Sequence, residues 1–244
     1  MEKLMNYDNL KKFAYVNDSI CKQPVKGIVI SFFGLGGMAM YDHDFTEGEF
    51  YAEQGILYVV PYNNPWAWMN DQAVAYTDEI IDVLIKQYDL AETIPIVSTG
   101  GSMGGQSALV YTAKAKRTPV ACVANCPVCD VVYHFTERND LPRTLYSSLF
   151  HVSGTMEDGL KSISPLHLID QMPRVKYHIF HCENDMDVNI EAHSKKFVSE
   201  LEKRQYDVTF DVEKGRGHCD LTLKMQRKFA EYVSNAILGV CDAF

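Results

Sequence analysis

The sequence predicts an α/β fold: a mostly parallel central sheet with helices on both faces. Short β-branched or aromatic runs alternate with longer helical stretches along most of the chain, the pattern of strands joined by crossover helices. Glycine clusters follow two of those runs at once, where a chain leaving a sheet must turn sharply. Size agrees, since 244 residues with 47% apolar content suit one large domain with a substantial core better than two small ones. The charged fraction of 23% is ordinary and speaks against wholesale disorder.

Residues 27–33, GIVISFF, are the first long predicted strand, ending in Gly34-Leu35-Gly36-Gly37. Residues 56–60 form a second strand closed by Pro61. Asp71 reads as a helix N-cap, and Val74, Ile80, Ile81, Val83, Leu84 and Tyr88 recur beyond it at helical spacing. Residues 94–98 are another strand, followed directly by the turn at 100–105 and a small-residue helix to about 116, then a strand at 120–124. Alternation breaks over 127–172, which is aromatic, irregular and punctuated by Pro142 and Pro165. This stretch is expected to be a helical cap insertion within a single domain spanning 1–244. Regular alternation resumes with a strand at 175–180, a helix over 190–203, a strand at 208–212 and a final helix over 221–238. Short segments around Tyr7 and at 13–16 are expected to add antiparallel edge strands.

A net charge of −9 would repel phosphate backbones and anionic lipid, so neither nucleic acid nor membrane is an expected partner. The first residues hold no apolar stretch of signal length, and no segment approaches bilayer-spanning length. A cytoplasmic location is the expectation. Seven cysteines is an odd number for a disulfide framework, so reduced thiols are expected. Cys126 and Cys129 have CxxC spacing with no second pair at zinc-finger distance, and a structural origin is preferred.

The chemistry centres on Gly100-Gly101-Ser102-Met103-Gly104, a G-x-S-x-G pattern set between a predicted strand and a predicted helix. A serine there sits on a tight, strained turn, where residues two before and two after it approach neighbouring backbone too closely for a Cβ. Gly100 and Gly104 meet that need, and Ser102 is the candidate nucleophile. No Lys follows in a GKS or GKT arrangement, which excludes a phosphate-binding loop.

A serine hydroxyl needs a base. His218, in Gly215-Arg216-Gly217-His218 after the last predicted strand, is the candidate, ahead of His43, His134, His151 and His181. The base needs a carboxylate to hold its tautomer. Asp185 is preferred over Asp187, with Glu183 and Asp130 as outside alternatives. The backbone N–H groups of Met103 and Leu35 are the candidate oxyanion donors.

Together these motifs resemble the α/β-hydrolase superfamily. Ser164-Pro165, the run His181-Cys182-Glu183-Asn184-Asp185-Met186-Asp187-Val188, and Gly217-His218 resemble the catalytic domain of prolyl oligopeptidase-like enzymes and small esterases. The resemblance runs from about Gly27 to the carboxyl terminus. It implies an α/β-hydrolase fold, with Ser102, Asp185 and His218 as catalytic triad and Leu35 and Met103 as oxyanion hole. Three positions depart from it: Phe33 stands where many relatives have His, Cys182 where Gly is common, and Asn189 where Pro often follows.

The reaction so implied is acyl transfer with no metal or organic cofactor. The expected substrate is a small-molecule ester of a small or medium acyl group. The alternatives are a short peptide, a non-catalytic ligand-binding role, or transfer to an acceptor other than water. Trp66, Trp68, Tyr133 and Phe135 are the candidate substrate-binding residues, with Met69, Tyr146 and Phe150 as further apolar candidates. Oligomeric state and natural substrate are left open by the sequence.

Overall fold

The computed structural model describes residues 4–240. Seven strands form one sheet: β1 (Ala14–Val16), β2 (Gly27–Phe32), β3 (Ile56–Pro61), β4 (Ile96–Gly101), β5 (Ala121–Asn125), β6 (Lys176–Cys182) and β7 (Val208–Glu213). Their order is β1-β3-β2-β4-β5-β6-β7, with β1 antiparallel to β3 and every other pair parallel. Central strands β3 and β5 are buried along their whole length, as expected where both faces of a parallel sheet are covered. Edge strand β7 is only half-buried.

The faces separate by period two. Ile28, Ile30 and Phe32 of β2 join the core under α2 (Asp71–Gln87), α3 (Met103–Lys114) and α7 (Lys196–Lys203). Val29 points the other way, into the core under α1 (Thr46–Ala52) and α8 (Leu223–Leu238). Each such aliphatic side chain contributes about 1.5–3 kcal/mol on burial. Helices therefore lie on both faces, the α/β architecture expected.

Four details differ from the sequence expectation. The segment at Tyr7 is a 3₁₀ turn over Tyr7–Lys12, and only Ala14–Val16 pairs as a strand. Asn70 caps α2, its side chain accepting from the Ala73 N–H at 2.9 Å, and Asp71 is the first helical residue. Helix α1 answers no sequence expectation; it carries two aromatics but only seven residues, too few to declare a period. The predicted helix at 190–203 opens with a π-helical turn, Glu191–Lys195, before α7.

Between β5 and β6 run three short helices, α4 (Val131–His134), α5 (Leu141–Ser148) and α6 (Met156–Ser162). Val131, Leu141, Leu145, Leu149 and Leu160 from this stretch pack with Trp68, Met103 and Val188 in a third apolar cluster. That cluster seats the helices over the carboxyl ends of the strands. Among the described residues, no helix is long and apolar enough to cross a membrane.

Candidate active site

Strand order reverses between β2 and β4, because the chain passes from β2 outward to β3 and then back to β4 on the other side. Loops leaving two such strands diverge and open a crevice at their carboxyl ends. Gly34 and Leu35 follow β2, and Ser102 follows β4, so both loops face that crevice. A cleft of about 490 Å³ lies there, lined among others by Leu35, Trp68, Ser102, Met103, His134, Arg138 and His218.

Ser102 sits at φ 60°, ψ −126° between β4 and α3, a left-handed conformation that L-residues avoid unless surrounding structure imposes it. Its N–H is held by the Asn125 carbonyl at 2.9 Å. The glycines explain how the turn closes. A Cβ on Gly104 would lie 2.1 Å from the Phe32 carbonyl oxygen, and one on Gly100 would lie 2.5 Å from that of Gly104. Neither clash can be relieved by moving a side chain, since both partners are backbone.

His218 and Asp185 are brought together across two laced loops. Asn184 N–H donates to the Arg216 carbonyl at 2.8 Å, and Gly215 N–H to Glu183 Oε2 at 2.9 Å. His218 Nδ1 then meets Asp185 Oδ2 at 2.7 Å. Asp185 Oδ1 accepts the N–H groups of Asp187 and Val188, each at 2.9 Å. His181 stands behind the carboxylate, its Nε2 3.0 Å from the Val188 carbonyl oxygen and 3.4 Å from Asp185 Oδ2.

Burial opposes the Asp185 charge, but the His181, His218 and Val188 donors outweigh it and hold the carboxyl well below the usual carboxylate range. Burial likewise opposes a charge on His218. The bond to Asp185, and then the Cys126 sulfur, overcome it and push the imidazole up to about 9. Asp187 is turned away to Arg138, 2.7 Å distant. Asp130 caps α4 and pairs with Lys196 at 3.0 Å. Of the four carboxylates weighed from sequence, only Asp185 bonds the imidazole.

Ser102 Oγ and His218 make no direct hydrogen bond; the Cys219 thiol lies 3.8 Å from His218 Nε2. Such bonds are commonly long before a substrate arrives. The Leu35 and Met103 amides, both at the cleft, have no hydrogen-bond acceptor among the described residues. Phe33, one of the departing positions, stacks on Tyr41 with ring centroids 6.1 Å apart and does not line the cleft.

Only one of the four aromatics proposed from sequence reaches the cleft. Trp68 does, fully buried, its Nε1 donating to Thr144 Oγ1 at 3.1 Å. Trp66 is exposed under Arg143 instead. Tyr133 lies outside, its ring 5.7 Å from that of His193, and Phe135 packs into the apolar cluster beneath the three short helices. Met69 is buried in the core under α2, and Tyr146 and Phe150 are exposed around a separate small depression. Neighbours in a turn or a short helix point in different directions, so neighbourhood in sequence misplaced them.

The reading from sequence passed over His134 as a wall residue and did not single out Arg138. The signal was available in His134-x-x-Glu137-Arg138, three ionisable side chains close enough in sequence to meet beyond the end of a short helix. Arg138 is clamped by both oxygens of Asp140, at 3.0 and 2.7 Å, and by Asp187.

Among the described residues four side-chain clusters have metal-ligand spacing: Cys126 with His218 and Cys219, His134 with Glu137 and His193, Cys126 with His181 and Asp185, and Asp185 with Asp187 and His218. In the second, His193 Nδ1 already accepts two backbone N–H groups, so its proton must sit on the nitrogen that would bind a cation. That donor set does not fit a metal. Cys126 and Cys129 belong to cores on opposite faces of the sheet, which separates them as a dithiol.

A model of the prolyl oligopeptidase family matches residues 67–236. No curated protein matches the sequence. Many solved structures share the fold. A puromycin-hydrolyzing peptidase of Mycobacterium tuberculosis is 14% identical with a TM-score of 0.70, over 91% of this chain and 36% of its own. The Pyrococcus horikoshii acylaminoacyl peptidase is 15% identical with a TM-score of 0.71, over 100% and 46%. A thermophilic esterase of Thermogutta terrifontis, bound to butyrate, is 15% identical with a TM-score of 0.65, over 93% and 88%. The chain spans about a third of the length of the puromycin hydrolases it resembles. These likenesses establish the α/β-hydrolase fold.

Proposed function

This chain belongs to the prolyl oligopeptidase family of α/β-hydrolases, and from that premise we propose that it hydrolyses carboxylic esters of small or medium acyl groups through Ser102, His218 and Asp185. One observation carries the reading: a serine held at φ 60° shares a cleft with an imidazole whose far nitrogen is bonded to a buried carboxylate at 2.7 Å. Ser102 Oγ attacks the ester carbonyl carbon as His218 Nε2 takes its proton. Asp185 stays ionised and stabilises the imidazolium. The oxyanion is met by the Leu35 and Met103 N–H groups. Collapse expels the alcohol, which takes the proton from His218. Water, deprotonated by the same imidazole, then releases the acid from Ser102.

A modest cleft supports small acyl groups, and an ester is an easier acyl donor than an amide. The second reading, a serine peptidase, is supported by the family match and by the peptidases that share the fold. A fluorophosphonate probe tests the common core of both. Labelling confined to the Ser102 peptide, and lost with at least about 10⁴-fold of turnover in Ser102→Ala, is the expected result. Matched ester and peptide panels then separate the two. Folded protein that resists probes of several sizes would instead be a ligand-binding protein on a hydrolase scaffold.

A further inference from the structure

We infer that His134 is a specificity-determining residue of the cleft, whose Nε2 accepts a hydrogen bond from a hydroxyl or amide N–H carried by the substrate's acyl group. The inference rests on the acyl-transfer reading above and adds to it the chemistry the substrate must present.

The proton positions follow from a chain of partners. His193 Nδ1 accepts the N–H groups of Cys129 and Asp130, at 3.2 and 3.1 Å. Its lone pair is thereby occupied, and its proton sits on Nε2, 2.9 Å from Glu137 Oε2. The same carboxylate oxygen is bonded to His134 Nδ1. Burial opposes the Glu137 charge, but the two histidines outweigh it and hold the carboxyl at about 2. An ionised carboxylate only accepts, so His134 Nδ1 must donate. A neutral His134 then has a bare lone pair on Nε2, and burial favours that neutral ring by lowering its affinity for a proton.

The ring has little freedom. Its side chain is only 3% exposed. The Trp68 ring meets it edge-on at 5.8 Å and the His193 ring at 5.2 Å. His134 lines the same cleft as Ser102 and Leu35; its Nε2 makes no hydrogen bond among the described residues and is not sealed from solvent, so it opens to the cleft. Arg138, which also lines the cleft, cannot fill the gap, because Asp140 and Asp187 engage its guanidinium. An acceptor held in one tautomer at the mouth of a nearly buried ring disfavours ligands that displace its water and supply no donor in return.

Four p-nitrophenyl esters test this as two matched pairs: glycolate against methoxyacetate, and N-acetylglycine against N-acetylsarcosine. In each pair a methyl group replaces the one donor hydrogen, and the His134 variants separate the loss of the donor from the added bulk. The unaltered protein is expected to prefer the donor-bearing member of at least one pair by about tenfold or more in kcat/KM. Which pair shows it tells hydroxyl from amide. His134→Phe keeps a ring against Trp68 but no acceptor, and should bring the ratio near one. His134→Gln retains a carbonyl oxygen and should keep part of the preference. Ratios rather than absolute rates are compared, so partial loss of folded protein does not mimic the effect. Equal turnover within both pairs, or a ratio that survives His134→Phe, overturns the inference. Fluorophosphonate labelling separates the two failures. Labelled Ser102 without donor preference sinks this inference alone, whereas no labelling and no turnover removes the acyl-transfer reading beneath it as well.

Discussion

The wall of the cleft that carries Ser102 is marked in the sequence by the glycines beside the serine, whereas the wall that carries His134 is held by side-chain bonds between distant residues that no local pattern marks. On the Ser102 side, Gly100 and Gly104 lie within two residues of the serine, and the Gly100 position is closed off by Gly104 itself. On the other side, Trp68 bonds Thr144 across 76 positions, Asn70 bonds the Ser148 carbonyl across 78, and Gln106 bonds the Ile163 carbonyl across 57. His193 reaches Glu137 across 56. The candidate nucleophile thus sits on a turn that its own glycines announce, although the backbone they approach includes Phe32 of β2, and the proposed selectivity rests on a network that exists only after folding.

Breaking the catalytic side should give the largest effects. Asp185→Asn is expected to cut kcat/KM for a small ester by about 10³–10⁴, since the imidazole loses its tautomer and its charge partner. The sign of the pH dependence follows from His218, which must be neutral to act. With its imidazole raised to about 9, kcat/KM of the unaltered protein should climb with pH and reach half its plateau near pH 9. In Asp185→Asn the midpoint should fall back toward the ordinary imidazole range. A pH–rate profile of both proteins decides it, and an unmoved midpoint would sink the assignment.

Next in size is Gly104→Ala. Its Cβ meets backbone oxygen at 2.1 Å, so β2 or the turn must shift, at a cost of about 3 kcal/mol. Urea unfolding measures this directly; a loss below about 0.5 kcal/mol would mean that the turn is not closed by sterics. Thr144→Val probes the opposite wall. It leaves the buried Trp68 indole N–H without an acceptor, for about 1–2 kcal/mol. A matching fall in Tm is expected, with little change in turnover of the smallest esters. The smallest effect should come from Asp187→Asn. Its partly exposed pair with Arg138 is worth at most about 1 kcal/mol, so acetate-ester turnover should change by no more than about fivefold. A loss comparable to that of Asp185→Asn would reverse the choice between the two acids.

Most of the sheet was legible because its strands are β-branched runs bounded by glycine and proline, and their limits shifted by only a few residues. The candidate site was legible for the same reason. Ser102, Asp185 and His218 follow predicted strands, and a side chain at a strand end has few directions open to it. Residues between β5 and β6 were read only as a helical insertion. There Tyr133 and His134 are neighbours whose rings both meet that of His193, yet only His134 lines the cleft, and no periodicity over four residues could say which one would.

By itself the amino-acid sequence determined the alternation of strands and helices, the strained turn at Ser102 and the chain order of serine, acid and histidine. Strands and helices show in short runs of residue types, and the turn at Ser102 shows in the glycines within two residues of it. Only the tertiary structure decided that Asp185 and not Asp187 meets His218, that Trp68 and not Trp66 reaches the cleft, and that Glu137 joins two histidines. Those choices depend on where separate segments come to rest against one another. A hydrogen bond of about 3 Å between residues far apart in the chain has no local signature.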